Sequence, residues 1–150
     1  MNSVRHSAMG GWKPKTRTYH DTDEEAVLSL WRRVGIDRPW LDLRAEIAEK
    51  RKRDRSLFLV AEAGNSVVGA VMGAYDGRRG WVYHLAVEPE RQRQGLGRLL
   101  MVALEQRMRR RGVTKINLQV RQDNLDVCTF YERLGYLDER LVSFGKRLST

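Results

Sequence analysis

Apolar residues along this chain change period several times, and each change marks an expected element. Arg17 to Tyr19 reads as a short first strand. Ala26, Val27, Leu30, Trp31 and Val34 then share one face of a helix that Asp21 or Thr22 would cap. A loop from Gly35 to Trp40 leads to a second helix near Asp42 to Arg53, expected to bury Leu43 and Ile47. Leu57 to Ala63 and Val67 to Tyr75 are apolar runs separated by the Gly64-Asn65 turn, the pattern of an antiparallel pair. The turn Asp76-Gly77-Arg78-Arg79-Gly80 passes the chain to a strand from Trp81 to Val87. Helical period returns from Leu96 to Arg111, with Leu99, Leu100, Val102, Ala103, Leu104 and Met108 toward the sheet and Gly112 as the stop. A strand from Thr114 to Val120, a helix from Leu125 to Leu134 and a last strand near Leu141 to Arg147 complete the chain. An antiparallel meander followed by a strand-helix-strand crossover gives a mixed sheet, an α/β (α+β) architecture.

The chemistry concentrates between the strand ending at Val87 and the helix opening at Leu96. That connection reads Glu88-Pro89-Glu90-Arg91-Gln92-Arg93-Gln94-Gly95-Leu96-Gly97. Glycines at 95 and 97 let backbone approach a ligand closely, because no Cβ stands in the way. The unpaired N–H groups of the helix start then favour an anion, and the shape suits a phosphate or pyrophosphate. It lacks the lysine and hydroxyl of the ATP-type loop and the three glycines of the dinucleotide fingerprint. Taken alone, the string also fits an ordinary glycine turn before a helix. A second cluster follows the Ile116 to Val120 run, where Asn124 precedes Phe130-Tyr131-Glu132-Arg133-Leu134-Gly135-Tyr136.

These two motifs, in this order and with a helix and a strand between them, resemble the GNAT acetyltransferase superfamily. The resemblance rests on Gln92-x-x-Gly95-x-Gly97 and on Asn124 with Phe130-Tyr131-Glu132-x-Leu134-Gly135-Tyr136, and is close from about Ser56 onward. It implies a mixed central sheet of about six to seven strands flanked by about four helices. Acetyl-CoA would lie in a wedge where the fourth and fifth strands, here Trp81–Val87 and Thr114–Val120, splay apart. Backbone groups of Leu85, Ala86 and Val87 would pair with the pantetheine arm as a peptide strand does. Gln92, Arg93, Gln94, Gly95, Leu96, Gly97 and Arg98 would form the pyrophosphate loop, with charge-assisted contacts from Arg93 and Arg98. Asn124 would cap its helix and contact the cosubstrate, and Tyr131 would return a proton to the departing thiolate. A backbone N–H near Val87 is the expected oxyanion donor.

The implied reaction is direct transfer of an acetyl group from acetyl-CoA to a primary amine, small molecule or protein, through a ternary complex. The family's base does not carry over: the two strand positions where relatives place a glutamate hold Trp81 and Gln119. His84, Glu62, Tyr83, Asp76 and a water chain all stay open. Arg38-Pro39-Trp40, Ser56 to Glu62, Met72 to Gly77 with Arg79-Gly80, and Gly145-Lys146-Arg147-Leu148 resemble a subgroup of small bacterial acetyltransferases. The acceptor does not follow from that likeness, although Trp40 and Tyr75 are candidates to line its pocket.

Composition narrows the picture further. A chain of 150 residues suits one domain, expected over residues 14–150, with aperiodic residues 1–13 as an appendage outside the fold. Hydrophobic content of 41% and charged content of 31% exclude a disordered chain. A single cysteine excludes a disulfide framework and a cysteine-based zinc site, so no metal is expected and Cys128 reads as a packed thiol. No apolar run approaches the roughly 18 residues of a membrane span. With no signal-peptide core, a cytoplasmic protein without membrane contact is expected. The net charge of +9 comes partly from Lys50 to Arg55 and Arg107 to Arg111. Both runs read as solvated helix faces or ends rather than a nucleic-acid surface, since no aromatic stripe accompanies them. A positive field would instead draw in polyanionic coenzyme A. The alternative function is a catalytically weak protein that binds CoA or nucleic acid on the same fold, and a homodimer is an open possibility.

Overall fold

The computed structural model describes residues 13–149, so the expected N-terminal appendage lies, Lys13 apart, outside the described residues. The described chain divides into two compact units, one running to Leu118 and the other starting at Gln119.

The first unit is built on a sheet in simple sequential order. Its strands are β1 (Lys15–Thr18), β2 (Phe58–Ala63), β3 (Ser66–Tyr75), β4 (Gly80–Val87) and β5 (Ile116–Asn117). The first four are antiparallel neighbours, and β5 runs parallel to β4. Three helices accompany it: α1 (Glu24–Arg33), α2 (Leu43–Asp54) and α3 (Leu96–Arg110). Single 3₁₀ turns occupy Asp21–Asp23, Arg55–Leu57 and Pro89–Arg91.

The continuous apolar runs of β2 and β3 follow from burial on both faces. On one face Phe58, Val60, Ala70, Met72 and Ala86 join Tyr19 and the inward residues of α1 and α2, among them Val27, Leu30, Trp31, Leu43 and Ile47. Tyr19 stacks on Phe58 with ring centres 4.3 Å apart. On the other face α3 buries Leu96, Leu100, Met101, Leu104 and Met108. Glycines in β3 let that helix come close: a Cβ on Gly73 would stand 2.7 Å from Leu104 Cδ1, and one on Gly69 2.9 Å from Leu100 Cδ1. Val102, Ala103 and Leu99, expected toward the sheet, are only half-buried, because the buried row steps by four residues from Leu96 and they fall on its flanks.

Sequence placed the start of α1 at an Asp21 or Thr22 cap, but these residues form the 3₁₀ turn and Asp23 is the N-cap. Asp23 is only 6% exposed. Its carboxylate accepts the His20 amide at 2.8 Å and both terminal nitrogens of Arg17 at 2.8 and 3.0 Å. Arg17 Nε also reaches Glu62 at 3.1 Å, so β1, α1 and β2 meet in one ion-paired corner. Burial alone would raise the Asp23 carboxyl; the Arg17 and His20 hydrogen bonds outweigh it and hold the carboxyl below the ordinary range.

The second unit carries α4 (Leu125–Arg133). Asn124 Oδ1 caps it by accepting the Val127 amide at 3.4 Å, and Gly135 follows its end at φ +94°. The strand expected near Leu141 to Arg147 is not formed: Leu141, Val142 and Phe144 are 81%, 77% and 93% exposed. Likewise the strand expected from Thr114 to Val120 is reduced to Ile116–Asn117. Among the described residues the sheet therefore has five strands rather than six to seven, with the four α-helices expected. The reason is physical: apolar alternation makes a segment able to pair, but only a ladder partner makes it a strand. No helix among the described residues is long and apolar enough to cross a membrane.

Candidate active site

Two departures from regular pairing shape β4. First, β4 and β5 pair only as Gly80↔Ile116 and Trp81↔Asn117. Beyond Trp81 the edge of β4 that faces β5 makes no further ladder pair among the described residues. Second, the β3–β4 register jumps from Ala70↔Ala86 to Met72↔Tyr83. Val71 thus faces two residues, His84 and Leu85, which is a β-bulge. His84 adopts φ +53°, a left-handed conformation uncommon outside glycine.

The bulge changes which way side chains point. Val82 pairs with Gly73 and Val87 with Gly69, both on the α3 face, while Ala86 belongs to the α1/α2 core. Alternation is kept only if His84 is skipped. Its ring turns to the α1/α2 side, where Nε2 lies 2.8 Å from Glu46 Oε2 of α2 and the Trp31 ring of α1 is 5.1 Å away. Glu46 was not singled out from sequence, since on a charged helix nothing distinguishes it from its acidic neighbours.

The loop after β4 is tied over its first half. Arg91 Nε donates to Glu88 at 3.0 Å, and Arg33 of α1 pairs with both Glu88 and Glu90. The Gln92 side chain turns back and donates to the Val87 carbonyl at 3.1 Å, so it braces the loop. Arg93 has φ +66° and Gly95 φ +84°, two left-handed residues that bend the chain into α3. The first ladder bond of α3 runs from the Leu99 amide to the Gly95 carbonyl at 2.9 Å. The amides of Leu96, Gly97 and Arg98 therefore have no partner within the helix. Arg93, Gln94 and Arg98 are exposed, Gly97 is half-buried, and the Leu96 side chain is in the core. Leu85 and Val87 are half-buried and Ala86 is buried.

Leu85, Ala86, Val87 and residues 92–98 are thus brought together in the first unit, while Asn124 and Tyr131 belong to the second. These two lie two turns apart on α4, one as its exposed cap and the other buried. Tyr131 packs edge-on against Phe130 and Tyr136, with centres 5.0 and 5.6 Å away. Burial pushes its phenol up to about 12. Cys128 is half-buried, with Sγ 4.0 Å from the Arg121 carbonyl oxygen.

The base candidates separate clearly. Glu62 is paired with Arg17. Asp76 accepts the amides of Arg78 and Arg79 at 2.8 and 2.7 Å and the Trp81 indole N–H at 3.2 Å, which together hold its carboxyl low. Tyr83 is 47% exposed, its phenol raised by burial and by Asp76. His84 alone is oriented by a carboxylate. Of the acceptor-pocket candidates, Tyr75 donates to the Gly77 carbonyl at 3.2 Å beneath the Arg111 guanidinium, and Trp40 is 58% exposed. A cavity of about 390 Å³ lies between α1 and α2, lined by Leu28, Arg32, Asp37, Leu41 and Arg44 among others. Among the described residues no group of three or more His, Cys, Asp or Glu side chains is arranged to hold a metal ion.

The profile of the Acetyltransferase (GNAT) family matches residues 18–136. Solved structures share the fold. An aminoglycoside acetyltransferase from an uncultured soil metagenomic sample, in complex with trehalose, superposes with a TM-score of 0.73 at 22% identity, covering 93% of this chain and 98% of that one. A ribosomal-protein-alanine N-acetyltransferase from Escherichia coli gives 0.70 at 24%, covering 82% and 77%. The PaiA N-acetyltransferase from Thermoplasma acidophilum, in complex with coenzyme A, gives 0.69 at 18%, covering 87% and 93%.

Proposed function

The chain belongs to the GNAT acetyltransferase family, and from that premise we propose that it moves an acetyl group directly from acetyl-CoA to a primary amine, on a small molecule or a protein, in a ternary complex. The observation that carries the reading is the edge of β4 that makes no ladder pair beyond Trp81, followed after the Glu88–Gly95 loop by a helix start whose Leu96, Gly97 and Arg98 amides have no partner within the helix. An extended amide-bearing arm fits the first, and a pyrophosphate fits the second.

In this reading Leu85, Ala86 and Val87 pair with the pantetheine arm. The amides from Arg93 to Arg98 hold the pyrophosphate, with the exposed Arg93 and Arg98 side chains adding charge-assisted contacts. Gln92 acts at one remove, by fixing the loop through the Val87 carbonyl. An amide near Val87 stabilises the oxyanion, and Asn124 contacts the cosubstrate as well as capping α4. Tyr131, still protonated at neutral pH, gives its proton to the departing thiolate. A reducing cytoplasm fits the single, half-buried Cys128.

The test combines thermal unfolding with a thiol-release assay over an amine panel. Acetyl-CoA is expected to raise Tm, about 2.7 kcal/mol of stabilisation at a hundredfold excess over Kd. Gly95→Glu places a carboxylate beside the amides at a left-handed position and should abolish the shift. Gly95→Ala carries the backbone strain, about 1–2 kcal/mol, without the charge. An undiminished shift in Gly95→Glu would show that the pyrophosphate sits elsewhere. Binding without thiol release from any amine would show a CoA-binding protein rather than a transferase.

A further inference from the structure

The geometry points to His84, oriented by Glu46, as the base that takes the proton from the acceptor's ammonium group. The inference rests on the acetyl-transfer reading above and supplies what that reading lacks. An alkylamine is mostly protonated at neutral pH and cannot attack a carbonyl until it loses a proton.

The bulge in β4 removes His84 from the strand's alternation and delivers its ring to the α1/α2 face. A left-handed φ at a non-glycine residue persists only where the surroundings over-determine it, and such positions gather at functional sites. The ring's orientation is fixed twice, by Trp31 at 5.1 Å and by Glu46 at 2.8 Å. A carboxylate only accepts hydrogen bonds, so Nε2 carries the hydrogen, and in the neutral ring the lone pair is then on Nδ1. This is the arrangement of a base held in one tautomer by a third group. His84 also immediately precedes Leu85, where the segment assigned to the pantetheine arm begins. Its side chain is 21% accessible, so the ring is not sealed in the core.

Among the described residues, Glu46 of α2 and the uncharged Trp31 of α1 face the ring, and Tyr83 is its titratable neighbour along β4. Lys50, one turn beyond Glu46, is committed to the Gly73 carbonyl at 2.6 Å.

His84 Nδ1 accepts one proton from the ammonium. The freed nitrogen lone pair forms the N–C bond to the thioester carbonyl, and the C–S bond breaks with its electron pair going to sulfur. Of the two protons that the nitrogen loses, one leaves on His84 and passes to solvent. The other balances the one taken up by the thiolate.

The experiment uses the full chain with two acceptors of different basicity that the wild type acetylates. His84→Asn is the variant of choice, because asparagine also tolerates a left-handed backbone. It should lower kcat/KM for the acceptor about 10²–10³-fold at pH 7, with the acetyl-CoA thermal shift unchanged. The deficit should narrow as pH rises toward the acceptor's own pKa. The acid limb of the wild type should fall at the same pH for both acceptors, whereas that of His84→Asn should follow each acceptor. Glu46 is a positioning residue: Glu46→Gln should lower kcat several-fold at constant KM for acetyl-CoA, and imidazole ¹⁵N shifts should show the Nε2–H tautomer losing its dominance. Wild-type rates and an unmoved acid limb in His84→Asn would overturn the assignment, as would a deficit of equal size at every pH. A wild type that binds acetyl-CoA but acetylates no amine would overturn the transfer reading and this inference together, a result distinct from either.

Discussion

Tyr131 and His84 show how differently single residues can be read. The phenol of Tyr131 is pushed up by burial to about 12 and so holds its proton at neutral pH, the state a general acid needs. Tyr131→Phe keeps the ring packed between Phe130 and Tyr136. It should leave Tm and KM for acetyl-CoA nearly unchanged while kcat falls about 10²-fold, the lower part of the range for a positioned acid because a thiolate leaves readily. Steady-state kinetics with an acceptor that the wild type acetylates would check it, and wild-type turnover would return Tyr131 to a core role. Tyr131 stands out as a candidate in the sequence because its neighbours along the chain form a motif. His84 was legible only as one of several candidates, because its orientation depends on a bulge and on Glu46, 38 residues away.

At the scale of elements, the junction of β1, α1 and β2 is held by Arg17, Asp23 and Glu62. Asp23 has a depressed carboxyl in the folded protein, so its contribution to stability is complete above the unfolded-state pKa and is lost as pH falls through the lower folded value. The expectation is that wild-type Tm declines between about pH 5 and pH 2, and that Asp23→Asn declines less steeply over the same window. At pH 7 Asp23→Asn should be destabilised by about 1–3 kcal/mol, since Arg17 is left half-paired in a largely buried corner. Thermal scans across that pH series would show it, and parallel curves would mean that Asp23 adds nothing. The basic runs also take their meaning from packing. Arg51 and Arg55 pair with Asp21, Arg53 with Glu49, and Arg111 with Asp54. Arg107 donates to the Ser56 carbonyl. Sequence shows these as charge clusters, whereas much of their charge is spent holding elements together.

For the molecule as a whole, the net charge of +9 is the property that acts at a distance. A cationic protein attracts a ligand bearing several phosphate charges, and salt screens that attraction over about 8–10 Å near physiological strength. Raising ionic strength from about 0.05 to 0.5 M, across which the Debye length shrinks several-fold, should therefore lower kcat/KM for acetyl-CoA by several-fold and leave kcat nearly constant. A salt-independent kcat/KM would show that the local loop, rather than the overall field, governs capture.

The sequence by itself determined the approximate extent of each helix, the hairpin turns at Gly64 and Gly77, the Asn124 cap and the glycine loop before α3. Each of these is decided among residues close together in the chain, where propensity and spacing act directly. The tertiary structure decided where β5 stops, that Leu141 to Arg147 is not a strand, that β4 bulges at His84, and that Arg17 reaches across 45 residues to Glu62. Ladders, bulges and ion pairs need a partner from elsewhere in the chain, and a period along one segment does not say which partner arrives or in what register.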